Sequence, residues 1–187
     1  MGENRIKLVA ADMDGTLLNR ERKITKYTQD VIKKAMAQGV YFVPATGRAV
    51  NALPPELKEM EGIRYGIFSN GATIYDLKEE KVIYKNHFEM DRVLELMDFL
   101  KQFDLMESIS LNGQSYANKK EMQNIDYYEL DSNTKAIVQG SRVLVDDLEM
   151  FVKEQSTTVE KTTLLFKTME ERQRAADALS KIEDIQF

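Results

Sequence analysis

The chain has 187 residues, 43% of them hydrophobic, with a formal net charge of −5 and no cysteine. That length and apolar fraction allow one large domain or two small ones with a real core. The acidic balance argues against non-specific nucleic-acid binding, the absence of cysteine excludes disulfides and thiolate chemistry, and no run approaches the ~20 apolar residues a spanning helix needs.

The first apolar segment covers residues 5–11 and reads as a buried strand, because it is nearly continuous rather than alternating. It does not resemble a signal peptide, so a cytoplasmic protein with no membrane partner is expected. The segment leads into Asp12-Met13-Asp14-Gly15-Thr16. Side chains two apart on extended backbone point the same way, and Gly15 permits a tight turn. Two carboxylates therefore converge at the carboxyl end of a strand, where open α/β sheets bind ligands.

Thr25 is placed to cap a helix over 26–38 that ends at Gly39. A second strand at Val40–Val43 runs through Pro44 into Thr46-Gly47-Arg48. A short helix over 49–60 is interrupted by Pro54-Pro55. A third strand, Tyr65–Phe68, ends at Ser69-Asn70-Gly71-Ala72. This β-α-β-α-β order predicts a parallel, Rossmann-like sheet with crossover helices.

After residue 72 the rhythm changes. Residues 73–75 and 82–84 predict a hairpin. A helix over 91–103 carries Val93, Leu96, Met97 and Leu100 at helical spacing. Two strands flank Asn112-Gly113, a strong turn signal, within 106–118. The polar stretch 119–140 gives no clear pattern. Then come a helix over 146–154, a strand over 159–166, and a helix to about Lys181 opened by the capping pair Thr168 and Glu171. Ile185–Phe187 reads as the start of another strand. The domain boundary is placed near Asn86, giving 1–85 and 86–187.

The acidic pair carries the chemistry. One carboxylate can attack a phosphoryl group; the other can protonate a leaving oxygen and then activate water. Mg²⁺ suits oxygen ligands and anionic phosphate substrates. A bare Asp-x-Asp is more often an acidic turn, but here a strand precedes it and Gly-Thr follows. A calcium loop starting at Asp12 fails, because Lys23 stands where its last carboxylate belongs. Thr46 and nearby backbone N–H groups can hold a phosphate oxygen, and Arg48 can pair with an anion. Alone, Thr46 would read as a strand-to-helix turn and Asn70 as a turn-forming Asn-Gly. Lone His87 reads as a surface residue, Tyr127-Tyr128 as packing, and Met90, Met97 and Met150 as core filling. No dinucleotide or Walker pattern is present.

Together the three strand-end motifs, Asp12–Leu18, Ala45–Arg48 and Ser69–Ala72, resemble the haloacid dehalogenase-like phosphatases of the Cof type. The resemblance implies an α/β core with a large inserted α/β cap from about residue 86. It implies that Asp12 is the nucleophile and a Mg²⁺ ligand. Asp14 would be the general acid/base, giving its backbone carbonyl to the metal. Thr46 would bind the transferring phosphoryl, Gly15, Gly47 and Arg48 would frame the phosphate, and Asn70 would lie beside the substrate. The implied reaction is hydrolysis of a small phosphorylated metabolite such as a sugar phosphate. A non-catalytic phosphate-binding remnant and a sugar phosphotransferase or mutase are the alternatives. The family's later lysine and acidic Gly-Asp loop have no counterpart here, so the chain is expected to end within the cap and to turn over weakly or not at all. The apolar strand at Ile6–Ala11 would then be a bare edge prone to self-association.

Overall fold

The computed structural model describes residues 6–183 and 185. They divide into two units, one ending at His87 and the other beginning at Phe88.

The first unit strings together β1 (Leu8–Asp12), α1 (Lys26–Ala37), β2 (Tyr41–Ala45), α2 (Pro55–Lys58), β3 (Tyr65–Phe68), β4 (Thr73–Asp76) and β5 (Lys81–Lys85). The sheet order is β1-β2-β3-β4-β5. β1, β2 and β3 are parallel, as strands joined by crossovers must be, and β4 and β5 are antiparallel. Thr25 caps α1 by accepting the Thr28 N–H at 3.2 Å, and Gly39 just past its end takes φ 83°. The predicted 49–60 helix is broken: a 3-10 turn at Val50–Ala52 precedes α2, which begins on Pro55. Proline fits the first helical position because its missing N–H would have no partner there. Met13, Ile32, Phe42, Leu57 and Phe68 form the centre of the core.

The reading of the first strand as buried is corrected. Leu8 is 55% exposed and Val9 37%. Among the described residues β1 has a strand neighbour on one side only, β2. The alternative expectation, an exposed apolar edge, matches this geometry. His87 is half-buried rather than on the surface, with its Nε2 at 2.8 Å from the Thr73 hydroxyl.

The second unit contains α3 (Met90–Leu100), β6 (Leu105–Leu111), β7 (Gln114–Asn118), α4 (Lys119–Gln123), α5 (Ser132–Ser141), β8 (Arg142–Val145), α6 (Leu148–Lys153), β9 (Lys161–Phe166) and α7 (Met169–Leu179). Its sheet runs β8-β7-β6-β9. Asn112 and Gly113 turn the β6–β7 hairpin at φ 50° and 74°, the conformation a two-residue turn demands. Val93, Met97, Ile109, Leu148 and Val152 form one core cluster, and Met106, Met122, Ile125, Tyr128 and Val138 another. Met97 fills the core as expected, but Met150 is 60% exposed, because it lies on the outer face of α6 between buried Leu148 and Val152. Of the final strand expected at Ile185–Phe187, residues 186 and 187 lie outside the described residues, and Ile185 is not in a strand. Among the described residues no helix is long and apolar enough to cross a membrane.

Candidate active site

The parallel register sets the site. Asp12 is opposite Ala45, and Ala45 is opposite Ile67, so three strands end side by side. Met13 is fully buried while Asp12 and Asp14 on either side of it are exposed. That alternation turns both carboxylates away from the core. Residues 13–17 then form a tight turn in which Gly15 takes φ 81°. A Cβ at Gly15 would meet nothing within 4 Å, so glycine is required there by backbone conformation rather than by space.

The second and third loops are bolted to each other through backbone. The Thr46 N–H donates to the Ile67 carbonyl at 2.9 Å, the Ser69 N–H to the Arg48 carbonyl at 2.9 Å, and the Asn70 N–H to the Thr46 carbonyl at 3.2 Å. Ser69, Asn70 and Gly71 all have positive φ, which lets the chain curl back over the second loop. Thr46 is 5% exposed, and its hydroxyl oxygen accepts the Arg48 N–H at 3.2 Å. The hydroxyl keeps its own proton to donate. Gly47 lies between these anchored residues, and the Asn70 side chain is exposed.

The first loop joins the second through charge. Arg48 Nε donates to Asp14 Oδ2 at 2.9 Å and Nη2 donates to Oδ1 at 2.5 Å. This is a two-pronged guanidinium–carboxylate pair. Arg48 Nη1 also reaches the Ala52 carbonyl at 3.4 Å. The sequence places Arg48 toward a substrate anion; in the structure its partner is Asp14. No local pattern encodes this pairing, which spans 34 residues and depends on two strands lying side by side.

Among the described residues, no group of three or more His, Cys, Asp or Glu side chains is placed to hold a metal ion. The oxygen donors here are the Asp12 carboxylate and the Asp14 backbone carbonyl, since both Asp14 carboxylate oxygens accept from Arg48. Such a donor set fits Mg²⁺ in kind, since that ion commonly takes one or two protein carboxylates and completes its shell with water and phosphate oxygens.

Acidic and hydroxyl groups are gathered here at the carboxyl ends of parallel strands, the place where sheets of the open α/β class bind ligands. Residues 9–185 match the family described as haloacid dehalogenase-like hydrolases, and the chain belongs to that family. A Buchnera aphidicola subsp. Schizaphis graminum protein, provisionally named a phosphatase, is 38% identical over 121 residues, 63% of this chain and 43% of that protein. The 5-amino-6-(5-phospho-D-ribitylamino)uracil phosphatase YcsE of Bacillus subtilis is 37% identical over 89 residues, 46% of this chain and 36% of that protein. Among solved structures, a haloacid dehalogenase-like hydrolase from B. subtilis superposes with a TM-score of 0.78 at 20% identity, covering 97% of this chain and 69% of that one. The matched residues span less than half the length of these curated relatives.

Proposed function

We propose that this chain carries the phosphoryl-transfer half-site of a Mg²⁺-dependent phosphomonoester hydrolase. The observation that carries the reading is the convergence of Asp12, Asp14 and Thr46 at adjoining strand ends, with Arg48 tying Asp14 to the loop of Thr46. Asp12 would attack the phosphorus through a carboxylate oxygen, and the bond to the ester oxygen would break. Asp14 would give that oxygen its proton. In the second step Asp14 takes a proton from water, the water oxygen attacks phosphorus, and the Asp12–phosphorus bond breaks to release phosphate. Thr46 would hold a phosphoryl oxygen through its hydroxyl proton, with Gly15, Gly47 and Arg48 framing the phosphate and Asn70 beside the substrate. Mg²⁺, held by the Asp12 carboxylate and the Asp14 backbone carbonyl, would offset the repulsion between carboxylate and phosphate. The similarity to a relative named for a phosphorylated ribityl compound supports a small sugar- or polyol-phosphate substrate.

Turnover is expected to be slow. The cation that the described geometry brings to these loops is Arg48, and it is held by Asp14. A phosphoryl site short of one stabilising donor loses about 10²–10³ in rate. The test is Mg²⁺-dependent release of phosphate from an aryl phosphate. Slow release abolished by Asp12→Asn supports the reading; release indifferent to Asp12→Asn refutes it. Retained Mg²⁺ or phosphate binding without any turnover supports the non-catalytic alternative, which the Arg48–Asp14 pairing favours. The bare edge of β1 further supports self-association of the chain.

A further inference from the structure

The layer between β6 and helices α3 and α6 carries a solvent-open cavity of about 350 Å³. Its lining residues combine apolar Met97, Leu100 and Leu148 with acidic Glu107, Glu121 and Glu149. Most polar groups around it are answered by the protein. Glu149 pairs with Lys101 at 2.9 Å and with Lys153 at 2.6 Å. Asp147 accepts the Met150 N–H at 2.8 Å. Asn118 caps α4 with its side-chain oxygen, and its amide nitrogen donates to the Asp146 carbonyl at 3.3 Å. Two atoms are left over: Glu107 Oε1 and Glu121 Oε2 are buried with no hydrogen-bond partner. Glu107 is only 9% exposed and lines the cavity. Leaving a buried carboxyl oxygen unanswered is costly, and native folds seldom do so without reason.

We propose that this cavity is a binding site for a small alkylammonium ligand, whose N–H groups answer Glu107 and Glu121 and whose carbon chain lies against Met97, Leu100 and Leu148. An ammonium group has three donors and no acceptor, which matches unanswered carboxyl oxygens. A bare metal ion fits less well. Among the described residues no group of three or more potential ligands is arranged around one point, and an ion has no use for the apolar lining. The cavity volume falls within the range that small ligands occupy.

The titrating groups that face Glu107 are Glu121 on α4, Asp147 and Glu149 at α6, and Lys101 just past α3. Burial, with added repulsion from Glu121 and Glu149, pushes the Glu107 carboxyl up to about 7. An ammonium ligand replaces that proton, so its binding strengthens as the pH rises through neutrality.

Calorimetric titration of the full chain with butylammonium chloride tests the site, with butanol and sodium chloride as controls. We expect one butylammonium per chain, bound more tightly at pH 8 than at pH 6. Glu107→Gln and Glu121→Gln should each weaken it by about 10-fold or more while keeping the wild-type circular dichroism. Should Glu107→Gln fail to fold, Glu121→Gln decides, since Glu121 is only half-buried. Absence of binding, equal binding by a folded variant, an affinity indifferent to pH, or equal heat from sodium chloride overturns the proposal.

Discussion

Arg48 is the residue whose sequence context says least about its role and whose contacts say most. It joins Asp14 to the second loop by two hydrogen bonds, with its own side chain 19% exposed and that of Asp14 45% exposed. An ion pair this open to water contributes little to folding, typically 0–1 kcal/mol. Under the proposed function its contribution would lie in orientation and in anion capture. Arg48→Ala should therefore change the free energy of unfolding by at most about 1 kcal/mol, read from denaturant titration. Inorganic phosphate binding, read by calorimetry, should weaken about 10-fold, because a charge-assisted contact is lost. A large loss of stability with phosphate affinity unchanged would make Arg48 a structural tie instead. The residues gathered here, Asp12, Asp14, Thr46 and Asn70, were legible as candidates because each stands at the end of an apolar run. Their connections were not, since the Arg48–Asp14 pair and the Ser69–Arg48 backbone bond exist only once the strands are paired.

At the scale of elements, β6 contains one misfit. Ile109 and Leu111 enter the cluster with α3 and α6, and Glu107, two residues before Ile109, lines the same layer beside Leu100 and Leu148. Its carboxyl is pushed up to about 7, chiefly by burial and then by Glu121 and Glu149. In the unfolded chain a glutamic acid gives up its proton near pH 4.5. Between those two values the folded state holds a proton that the unfolded state has lost, so stability falls as pH rises. The loss approaches roughly 3 kcal/mol above neutrality. Glu107→Leu removes this dependence, so the variant's advantage in thermal midpoint over wild type should be larger at pH 8 than at pH 5. An equal difference at both values would show that Glu107 ionises freely. Most elements of the fold were legible: the βαβ rhythm, the Thr25 and Thr168 caps and the Asn112-Gly113 turn all carry local chemistry. The segment 119–140 was not, because its short helices lack a strong apolar face. Their signal was the caps: Asn118 accepts N–H groups from Lys120 and Glu121, and Asp131 accepts them from Asn133 and Thr134. β8 escaped because its pairing with β7 is parallel and long-range, and two of its four residues, Val143 and Leu144, are exposed.

At the scale of the whole molecule the question is what an apolar edge does in water. Among the described residues no strand pairs with β1 on the side away from β2, and Leu8 and Val9 are exposed. Two such edges can pair antiparallel across a two-fold axis, each answering the other's backbone groups. The expected behaviour is a mass by light scattering that rises with concentration. Lysine on an edge strand opposes such pairing, because the charge would have to lose water in the joint. Leu8→Lys should therefore move the chain toward monomer. Since Leu8 is already 55% exposed, the same substitution should leave the thermal midpoint of the diluted protein nearly unchanged. The two measurements separate a surface effect from a folding effect. A Leu8→Lys protein that associates as wild type does would place the contact elsewhere, and a wild-type chain that stays monomeric across a wide concentration range would show that hydration alone satisfies this edge.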